Sequence, residues 1–336
     1  MARVVVFDET GGPEVLRLVD EPVPDPGPGE VRIRIEAAGV NRLDELTRSG
    51  ASPLPVRLPH ARLGCEGAGV VDAVGPGVEG LAAGDPVLIA AVPDMVSHGT
   101  YADCTVLPAS RVVRRPEGLD PVRAAALWVA YSTAYGALVE KAGMRPGDTV
   151  LITAASGGVG RAAIQIARQI GAVPIAVTRH SAKEKELLAA GAEAVVATDR
   201  EDVAEATARH TGGAGADIVL DSVMGPGLDG LARAARRFTG TLVTVGWLDP
   251  RPAPYPSNAI TTHRYMSFEH TLDPAAVRRI AAFLFAGLRT GVLDPAVGRV
   301  FALEDAVQAH RYLADDGRDH GKVVLACAPS AGPVAA

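Results

Sequence analysis

A glycine turn carries the sharpest chemical signal in the sequence. The segment TAASGGVG lies between an apolar run that starts at Thr149 and a stretch whose apolar residues recur at helical spacing. Glycines let bare backbone N–H groups approach an anion, and the N-terminus of a helix favours negative charge. Gly160 is predicted to let the helix and strand pack closely. The predicted contacts to a dinucleotide pyrophosphate are Ser156, Gly157, Gly158 and Val159.

The turn departs from the dinucleotide-binding pattern at one position. Ala155 stands where the pattern GxGxxG has its first glycine. The short motif alone fits a tight strand-to-helix turn without a ligand about as well as it fits a cofactor site. The strand before it, the helix after it and the further strand–helix alternations favour the cofactor.

The end of the next strand indicates which dinucleotide would bind. About 20 residues beyond the turn, an NAD-binding protein carries an acid that accepts the ribose hydroxyls. The sequence offers hydroxyls and cations there instead, at Thr178, Arg179, Ser181 and Lys183. These groups suit a 2′-phosphate, and the planar guanidinium of Arg179 can make paired hydrogen bonds to it. We therefore predict that the cofactor is NADPH. The alternative is that Arg179 and Lys183 only lie at the start of a solvent-exposed helix and bind no phosphate.

Strands that alternate with helices would position these residues. This alternation is typical of βαβ units, whose right-handed crossovers and nearly continuous apolar strands predict a parallel sheet covered on both faces. The apolar runs are 150–153, 174–178, 194–197, 218–221 and 241–245. Gly246, Trp247 and Leu248 follow the last run, so we expect them at the carboxyl edge of the sheet, where ligands bind.

The rest of the chain predicts a second domain. A length of 336 residues is natural for two domains with a cleft between them. From residue 3 to about residue 115, short β-rich runs alternate with Gly and Pro clusters, which indicates a barrel-like β region. Helices are predicted at 273–289 and 303–313, followed by a strand in GKVVLAC that returns to the first lobe. The predicted fold class is α/β.

Composition excludes several classes of partner. The 33 basic and 39 acidic residues give a net charge of −6, with both signs mixed along the chain, which disfavours nucleic acid and acidic membranes. The three cysteines are too few and too scattered for a disulfide framework. No apolar run has the length and position of a signal peptide or a membrane span. We expect a cytoplasmic protein that acts on a small molecule.

The order of motifs resembles that of a known family. The chain carries, in sequence, GCEGAGVVDAVGPGV, LWVAYSTAYGAL, TAASGGVG, DSV, VGWL and HGKVVL. This order is similar to that of the medium-chain dehydrogenase/reductase superfamily, and within it to the zinc-independent quinone oxidoreductase-like branch, from about Val4 to Leu325. The resemblance implies a GroES-like catalytic domain from residues 1–126 and 269–336, a Rossmann domain with a six-stranded sheet from residues 127–268, and a homodimer.

The resemblance also assigns site residues. It places Asn41 and Asp44 at the nicotinamide end, and Thr133 near the nicotinamide ribose. Each also has an ordinary interpretation: Asp44 as a helix cap, Thr133 as a buried hydroxyl and Lys322 as a solvated strand end. The further cofactor contacts that it implies are Ser222, Gly246, Trp247, Leu248 and Lys322.

Zinc-dependent members of the superfamily bind a catalytic metal through cysteine, histidine and a third ligand. In this chain Asn41 stands at the first position, Cys65 stands at that of the histidine and Val129 falls near the third. Glu66 alone persists from the pattern. One thiol and one carboxylate cannot close a tetrahedral zinc site, so we predict no metal. Cys65 is interpreted as a small buried residue.

The proton donor is the open question of the sequence. Leu46 stands where many members of the branch carry a tyrosine. Tyr131 is the preferred candidate, although a core aromatic is as good an interpretation, and Asp44, His98 and Tyr101 are weaker ones. The predicted function is NADPH-dependent reduction of a quinone or an α,β-unsaturated carbonyl. The alternatives are an NADP(H)-binding protein, a non-redox cyclase or isomerase, and a ketone or alcohol oxidoreductase.

Overall fold

The computed structural model describes residues 1–52, 55–92, 94–315 and 321–327. The chain forms two compact units. The first contains Met1–Val129, Thr271–Arg278 and the described residues from Pro295 onward, and the second contains Ala130–His270 and Arg279–Asp294. The domain bounds expected from the sequence, 1–126 with 269–336 and 127–268, remain a prediction, and residues 328–336 of that assignment lie outside the described ranges.

The strands follow the chain in this order: β1 Ala2–Phe7, β2 Arg17–Glu21, β3 Glu30–Val40, β4 Ala61–Arg62, β5 Gly67–Val74, β6 Pro86–Ile89, β7 Cys104–Pro108, β8 Val112–Arg114, β9 Thr149–Ile152, β10 Val173–Thr178, β11 Ala194–Ala197, β12 Ile218–Asp221, β13 Thr241–Thr244, β14 Thr261–Arg264, β15 Val297–Ala302 and β16 Lys322–Ala326.

The α-helices are α1 Arg42–Ser49, α2 Met95–His98, α3 Pro121–Ala125, α4 Trp128–Tyr135, α5 Gly158–Ile170, α6 Glu184–Ala189, α7 Val203–His210, α8 Leu228–Ala234, α9 Phe268–Thr271, α10 Pro274–Thr290 and α11 Ala306–Ala314. A π-helical turn follows α4 at Gly136–Lys141, and 3-10 turns lie at Pro13–Val15, Ala109–Arg111, Ser181–Lys183, Gly225–Gly227 and Leu303–Asp305. In the described part of the chain, none of these helices combines the length and the apolar character needed to cross a bilayer.

The first unit is built from β-sheets that use both ends of the chain. A three-stranded sheet has the order β2-β1-β4, and a larger sheet has the order β15-β16-β3-β5-β6-β8, with β7 also paired to β3. Strand β16 runs antiparallel to β3 and pairs Val323 with Val40. The strand predicted in GKVVLAC is therefore confirmed. It returns to the sheet that the N-terminal part of the chain forms.

The second unit contains a six-stranded parallel sheet in the order β11-β10-β9-β12-β13-β14. This architecture confirms the doubly wound sheet. The apolar runs that the sequence singles out form β9 to β13, and their residues are largely buried because helices cover both faces of a parallel sheet. Strand β14 reads TTHR and is mostly exposed, so its sequence lacks the apolar run by which the others are recognised.

Close packing fixes the turn between β9 and α5. A Cβ atom added to Gly160 would lie 2.6 Å from both the carbonyl oxygen of Ala154 and the Cα of Ala155. The helix can therefore approach the end of the strand only with glycine at this position. At Gly158, by contrast, the nearest atom to an added Cβ is the Ala130 Cβ at 3.7 Å, an ordinary contact distance.

These two glycines provide a matched pair of substitutions. Gly160→Ala should destabilise the protein by about 1–3 kcal/mol, because the new methyl group forces the strand and helix apart. Gly158→Ala should change the free energy of unfolding by no more than about 1 kcal/mol, since a helical alanine fits there. Urea denaturation of both variants checks this, and equal losses for the two would contradict the steric account.

Candidate functional site

The turn after β9 presents backbone groups at the start of a long helix. Ala154 adopts a left-handed conformation with φ of 45°, and the Gly157 N–H donates to the Ala154 carbonyl at 2.8 Å. Gly157 then caps α5, whose first residue is Gly158. Gly158 is exposed, so its backbone at the start of the helix is accessible to a ligand group. The arrangement fits the pyrophosphate of a dinucleotide.

The cation predicted for the ribose end reaches this turn. The Lys183 ammonium lies 3.4 Å from the Ser156 hydroxyl and donates to it. Thr178 ends β10 as a buried residue, whereas the Arg179 side chain is exposed. The structure thus brings Ser156 and Lys183 together and places Arg179 on the surface next to Thr178.

An acidic residue that the sequence prediction omitted lies beside this group. The Asp199 carboxylate accepts the Ser181 N–H at 3.2 and 3.1 Å and the Ser181 hydroxyl at 3.2 Å. The Ser181 backbone N–H is the main cause that lowers the pKa of Asp199 below its usual value. Asp199 follows β11, which neighbours β10, and this position at the shared strand edge is the signal that could have identified it.

The residues predicted after β12 and β13 meet at the same edge. A Cβ at Gly246 would lie 2.8 Å from the Ser222 carbonyl oxygen, so only glycine permits this approach. The Leu248 N–H donates to that carbonyl at 3.2 Å. The Trp247 ring lies under the Arg264 guanidinium, 5.2 Å from its centroid. Ser222 and the 246–248 segment therefore form one cluster.

A buried carboxylate, that of Asp221, forms hydrogen bonds at this edge of the parallel sheet. Asp221 accepts the Thr153 hydroxyl at 2.7 Å and the backbone N–H groups of Val223 and Met224 at 3.0 and 2.8 Å. Burial raises the pKa of Asp221, and its hydrogen bonds oppose the rise. Thr153 also accepts the Ser222 N–H at 2.9 Å. The ends of β9 and β12 are thus tied together directly beneath the predicted cofactor contacts.

Helix α4 holds the two remaining predicted residues of the second unit. The Tyr131 hydroxyl donates to the Gln165 side-chain oxygen at 2.7 Å, and that amide also bonds to the backbone of Asp294. Tyr131 is only 3% exposed. These contacts favour the interpretation of Tyr131 as a core aromatic residue over its interpretation as a proton donor. Thr133 is buried at 8% exposure in the same helix.

In the first unit, a buried ion pair lies beside Asn41, one of the residues predicted for the nicotinamide end. The Lys322 ammonium contacts the Glu66 carboxylate, which is fully buried, and donates to the Asn41 side-chain oxygen. The Asn41 amide nitrogen donates to the same Glu66 carboxylate at 3.0 Å. The other oxygen of Glu66 accepts the Val129 N–H at 2.7 Å. Lys322 is therefore not a solvated strand end.

Asp44 lies in a buried hydrogen-bond network. Its carboxylate accepts the Asn41 N–H at 2.8 Å, the Gly64 N–H at 2.9 Å and the Tyr101 hydroxyl at 3.1 Å. The first bond is part of a capping box at the start of α1. Burial raises the pKa of Asp44 to about 6, although the three hydrogen bonds act against it. The bond to the Asn41 N–H agrees with the interpretation of Asp44 as a helix cap.

The residues at the zinc-ligand positions do not fit a catalytic zinc site. A cation, the Lys322 ammonium, already contacts Asn41 and Glu66. Of the residues at these positions, Cys65 supplies a single thiol, Asn41 supplies a neutral amide and Val129 has no donor atom in its side chain, so three side-chain ligands for zinc are not available. Across residues 1–52, 55–92, 94–315 and 321–327, no group of three or more His, Cys, Asp and Glu side chains has the geometry of a metal site.

The Tyr101–Asp44 hydrogen bond yields a test of pH dependence. The raised pKa means that the folded protein holds a proton that the unfolded chain releases, so the contribution of Asp44 to stability falls as pH rises from about 4 to 6. The Tyr101 hydroxyl offsets this loss by stabilising the ionised form. Tyr101→Phe should cost about 1.5–3 kcal/mol of unfolding free energy at pH 8 and clearly less at pH 5.

Urea denaturation at the two pH values measures this difference. Tyr131→Phe is the matched control, because its hydroxyl donates to the neutral Gln165 amide and its loss should vary little with pH. A Tyr101→Phe cost that is the same at pH 5 and pH 8 would show that Asp44 does not titrate in this range.

Comparisons with known proteins place the chain in a family. Residues 27–117 match the alcohol dehydrogenase GroES-like domain, and residues 158–274 match the zinc-binding dehydrogenase family. The chain is 32% identical to a 2-haloacrylate reductase from a Burkholderia species, over 97% of this chain and 99% of that protein. It is 34% identical to a quinone oxidoreductase of Pseudomonas aeruginosa, over 97% and 99%.

A solved structure agrees with these sequence matches. The Escherichia coli quinone oxidoreductase complexed with NADPH superposes with a TM-score of 0.87 at 28% identity, and the match covers 97% of this chain and all of that one. The GroES-like and Rossmann architectures expected from the motifs are therefore confirmed. The chain belongs to the quinone oxidoreductase-like branch of the medium-chain dehydrogenase/reductase superfamily.

Proposed function

We propose that the protein is an NADPH-dependent oxidoreductase that reduces a conjugated acceptor, a quinone or an α,β-unsaturated carbonyl. The observation that carries this proposal is the turn before α5, where the backbone of Gly158 is exposed at the helix start and the Lys183 ammonium donates to the Ser156 hydroxyl. A helix start with bare backbone and a nearby cation suits a phosphorylated dinucleotide. The NADPH bound to the related Escherichia coli enzyme supports the same cofactor.

Several residues of this chain would hold the cofactor. Ser156, Gly157, Gly158 and Val159 would hold the pyrophosphate, and Thr178, Arg179, Ser181 and Lys183 would surround the 2′-phosphate. The cluster of Ser222 with Gly246, Trp247 and Leu248, together with Thr133, would hold the nicotinamide half. Lys322 would contact the phosphates or the nicotinamide. The reduced nicotinamide supplies a hydride, so the protein has mainly to orient the acceptor and exclude water.

The contacts of the candidate donors favour a conjugated acceptor. A saturated ketone gives a strongly basic alkoxide, which needs a metal or a positioned acid. The Tyr131 hydroxyl already donates to Gln165, and the Asn41 amide already donates to Glu66. After hydride transfer to a quinone or enone, the negative charge is delocalised. The oxygen of the product anion is therefore less basic than an alkoxide and depends less on a positioned acid. The names of the two relatives, a quinone oxidoreductase and a 2-haloacrylate reductase, fit this class.

Asn41, Asp44 and Tyr131 remain the proposed residues for catalysis. Tyr131 would take part only by giving up its hydrogen bond to Gln165, whereas the contacts of Asp44 and Asn41 indicate distinct roles. Asp44 is fully buried and would act as a positioning residue, because it holds the Asn41 backbone and the start of α1. Asn41 would face the nicotinamide end, with its amide oriented by Glu66 and Lys322. We propose that the reaction proceeds without zinc, that the chain forms a homodimer, and that it acts in the cytoplasm.

A cofactor-oxidation assay tests the reaction. After treatment with a chelator, the purified protein should oxidise NADPH with 9,10-phenanthrenequinone or a 2-alkenal, and much more slowly with the matching saturated carbonyls. The decrease in absorbance at 340 nm measures both rates. Faster turnover of the saturated compounds would contradict the proposal. Tight NADPH binding with no oxidation across the panel would instead indicate a cofactor-binding protein or a non-redox cyclase or isomerase.

The 2′-phosphate site has its own test. Arg179→Ala should weaken NADPH binding by roughly ten- to a hundredfold, since a hydrogen bond to a charged group contributes about 1.5–3 kcal/mol. NADH binding should stay nearly unchanged. Calorimetric titration gives both dissociation constants, and Arg233→Ala removes a comparable exposed arginine from α8 as the control. Equal losses of NADPH and NADH affinity in Arg179→Ala would contradict the assignment.

A further inference from the structure

The carboxylate of Asp199 occupies the region proposed for the 2′-phosphate. Thr178, the last residue of β10, pairs with Ala197, the last residue of β11, so the segments that follow the two strands leave the sheet side by side. Ser181 belongs to the first segment and Asp199 to the second. Their side chains meet, and both donors of Ser181, its N–H and its hydroxyl, bond to the exposed Asp199 carboxylate.

This contact places an anion among the groups proposed to bind an anion. The N–H of Ser181 lowers the pKa of Asp199, so the carboxylate is ionised at neutral pH. Lys183, two residues beyond Ser181, carries the opposite charge and reaches Ser156. The ribose end therefore combines a cation that attracts a phosphate with a carboxylate that repels it and holds one of its donors.

We propose that Asp199 is a specificity-determining residue that reduces the preference for NADPH and lets the protein bind NADH as well. The inference rests on the proposed NADPH site. A carboxylate accepts hydrogen bonds from ribose hydroxyls, which only NADH offers at the 2′ position. A 2′-phosphate carries no such donor there, adds close to two negative charges at neutral pH and competes with Asp199 for the donors of Ser181.

The substitution Asp199→Asn removes the negative charge of this side chain and keeps its shape. Asparagine has nearly the same size and keeps an oxygen that can accept the Ser181 N–H, so the local structure should persist. The variant should bind NADPH about three- to thirtyfold more tightly at low ionic strength, given the modest strength of exposed charge pairs and the double charge of the phosphate. NADH binding should stay the same or weaken. The gain for NADPH should shrink at high salt.

Glu193→Gln is the matched control. Glu193 directly precedes β11, whereas Asp199 lies two residues after its last residue, and both residues are exposed. The control therefore removes the same charge at the opposite end of the same strand. It should leave the ratio of the NADPH and NADH dissociation constants close to that of the wild type. Thermal unfolding of the full-length variants verifies that each is folded.

Calorimetric titration of NADPH and NADH against the wild type and both variants gives distinct outcomes. A rise in NADPH preference in Asp199→Asn alone supports the inference. An unchanged or reduced preference in Asp199→Asn overturns the inference but leaves the proposed function standing, because the protein still binds the cofactor. An equal rise in the Glu193→Gln control also overturns it, since net charge would then explain the effect. A wild-type protein that binds neither nucleotide overturns the proposed function and the inference together.

Discussion

The close approach of α5 to the end of β9 is the constraint on which the nucleotide-binding unit depends. Gly160 leaves no room for a side chain against Ala154 and Ala155, so the helix begins directly over the strand end. At the start of the helix, Gly158 is exposed and Gly157 is partly exposed. Because neighbouring parallel strands end at the same edge, the loops that carry Ser181, Ser222 and Gly246 emerge at the same edge of the sheet as this turn.

A different interaction organises the β-rich unit. Glu66 is fully buried, and a buried carboxylate is strongly unfavourable unless a cation and hydrogen-bond donors accompany it. Lys322 supplies the cation from β16, while Asn41 and Val129 supply N–H groups. Residues separated by 281 positions thus meet at one carboxylate. The pairing also supports the proposed reaction without zinc, because the ammonium of Lys322 already balances the charge of Glu66.

The sequence predicts those features that depend on local pattern. Strands β9 to β13 are apolar runs because both faces of the sheet are covered, and their ends indicate where Ser222 and Gly246 lie. Strand β14 cannot be found in this way, since its residues are mostly exposed at the edge of the sheet. The Asp199–Ser181 contact depends on the order of β10 and β11 in the sheet. The Tyr101–Asp44 contact joins residues 57 positions apart, and periodicity carries no information about either.

Three candidate proton donors already donate hydrogen bonds to acceptors within the protein, and this affects which substrates the protein could protonate. Tyr101 donates to Asp44, Tyr131 donates to Gln165 and the Asn41 amide donates to Glu66. A donor with a good acceptor inside the protein transfers its proton to substrate only by losing that bond, which costs about 0.5–1.5 kcal/mol for a neutral pair and more beside a charge. A weakly basic oxygen avoids this cost, because solvent can protonate it after hydride transfer. The bonds of these three donors therefore support the proposal that the acceptor is a delocalised quinone or enone and not a carbonyl that gives an alkoxide.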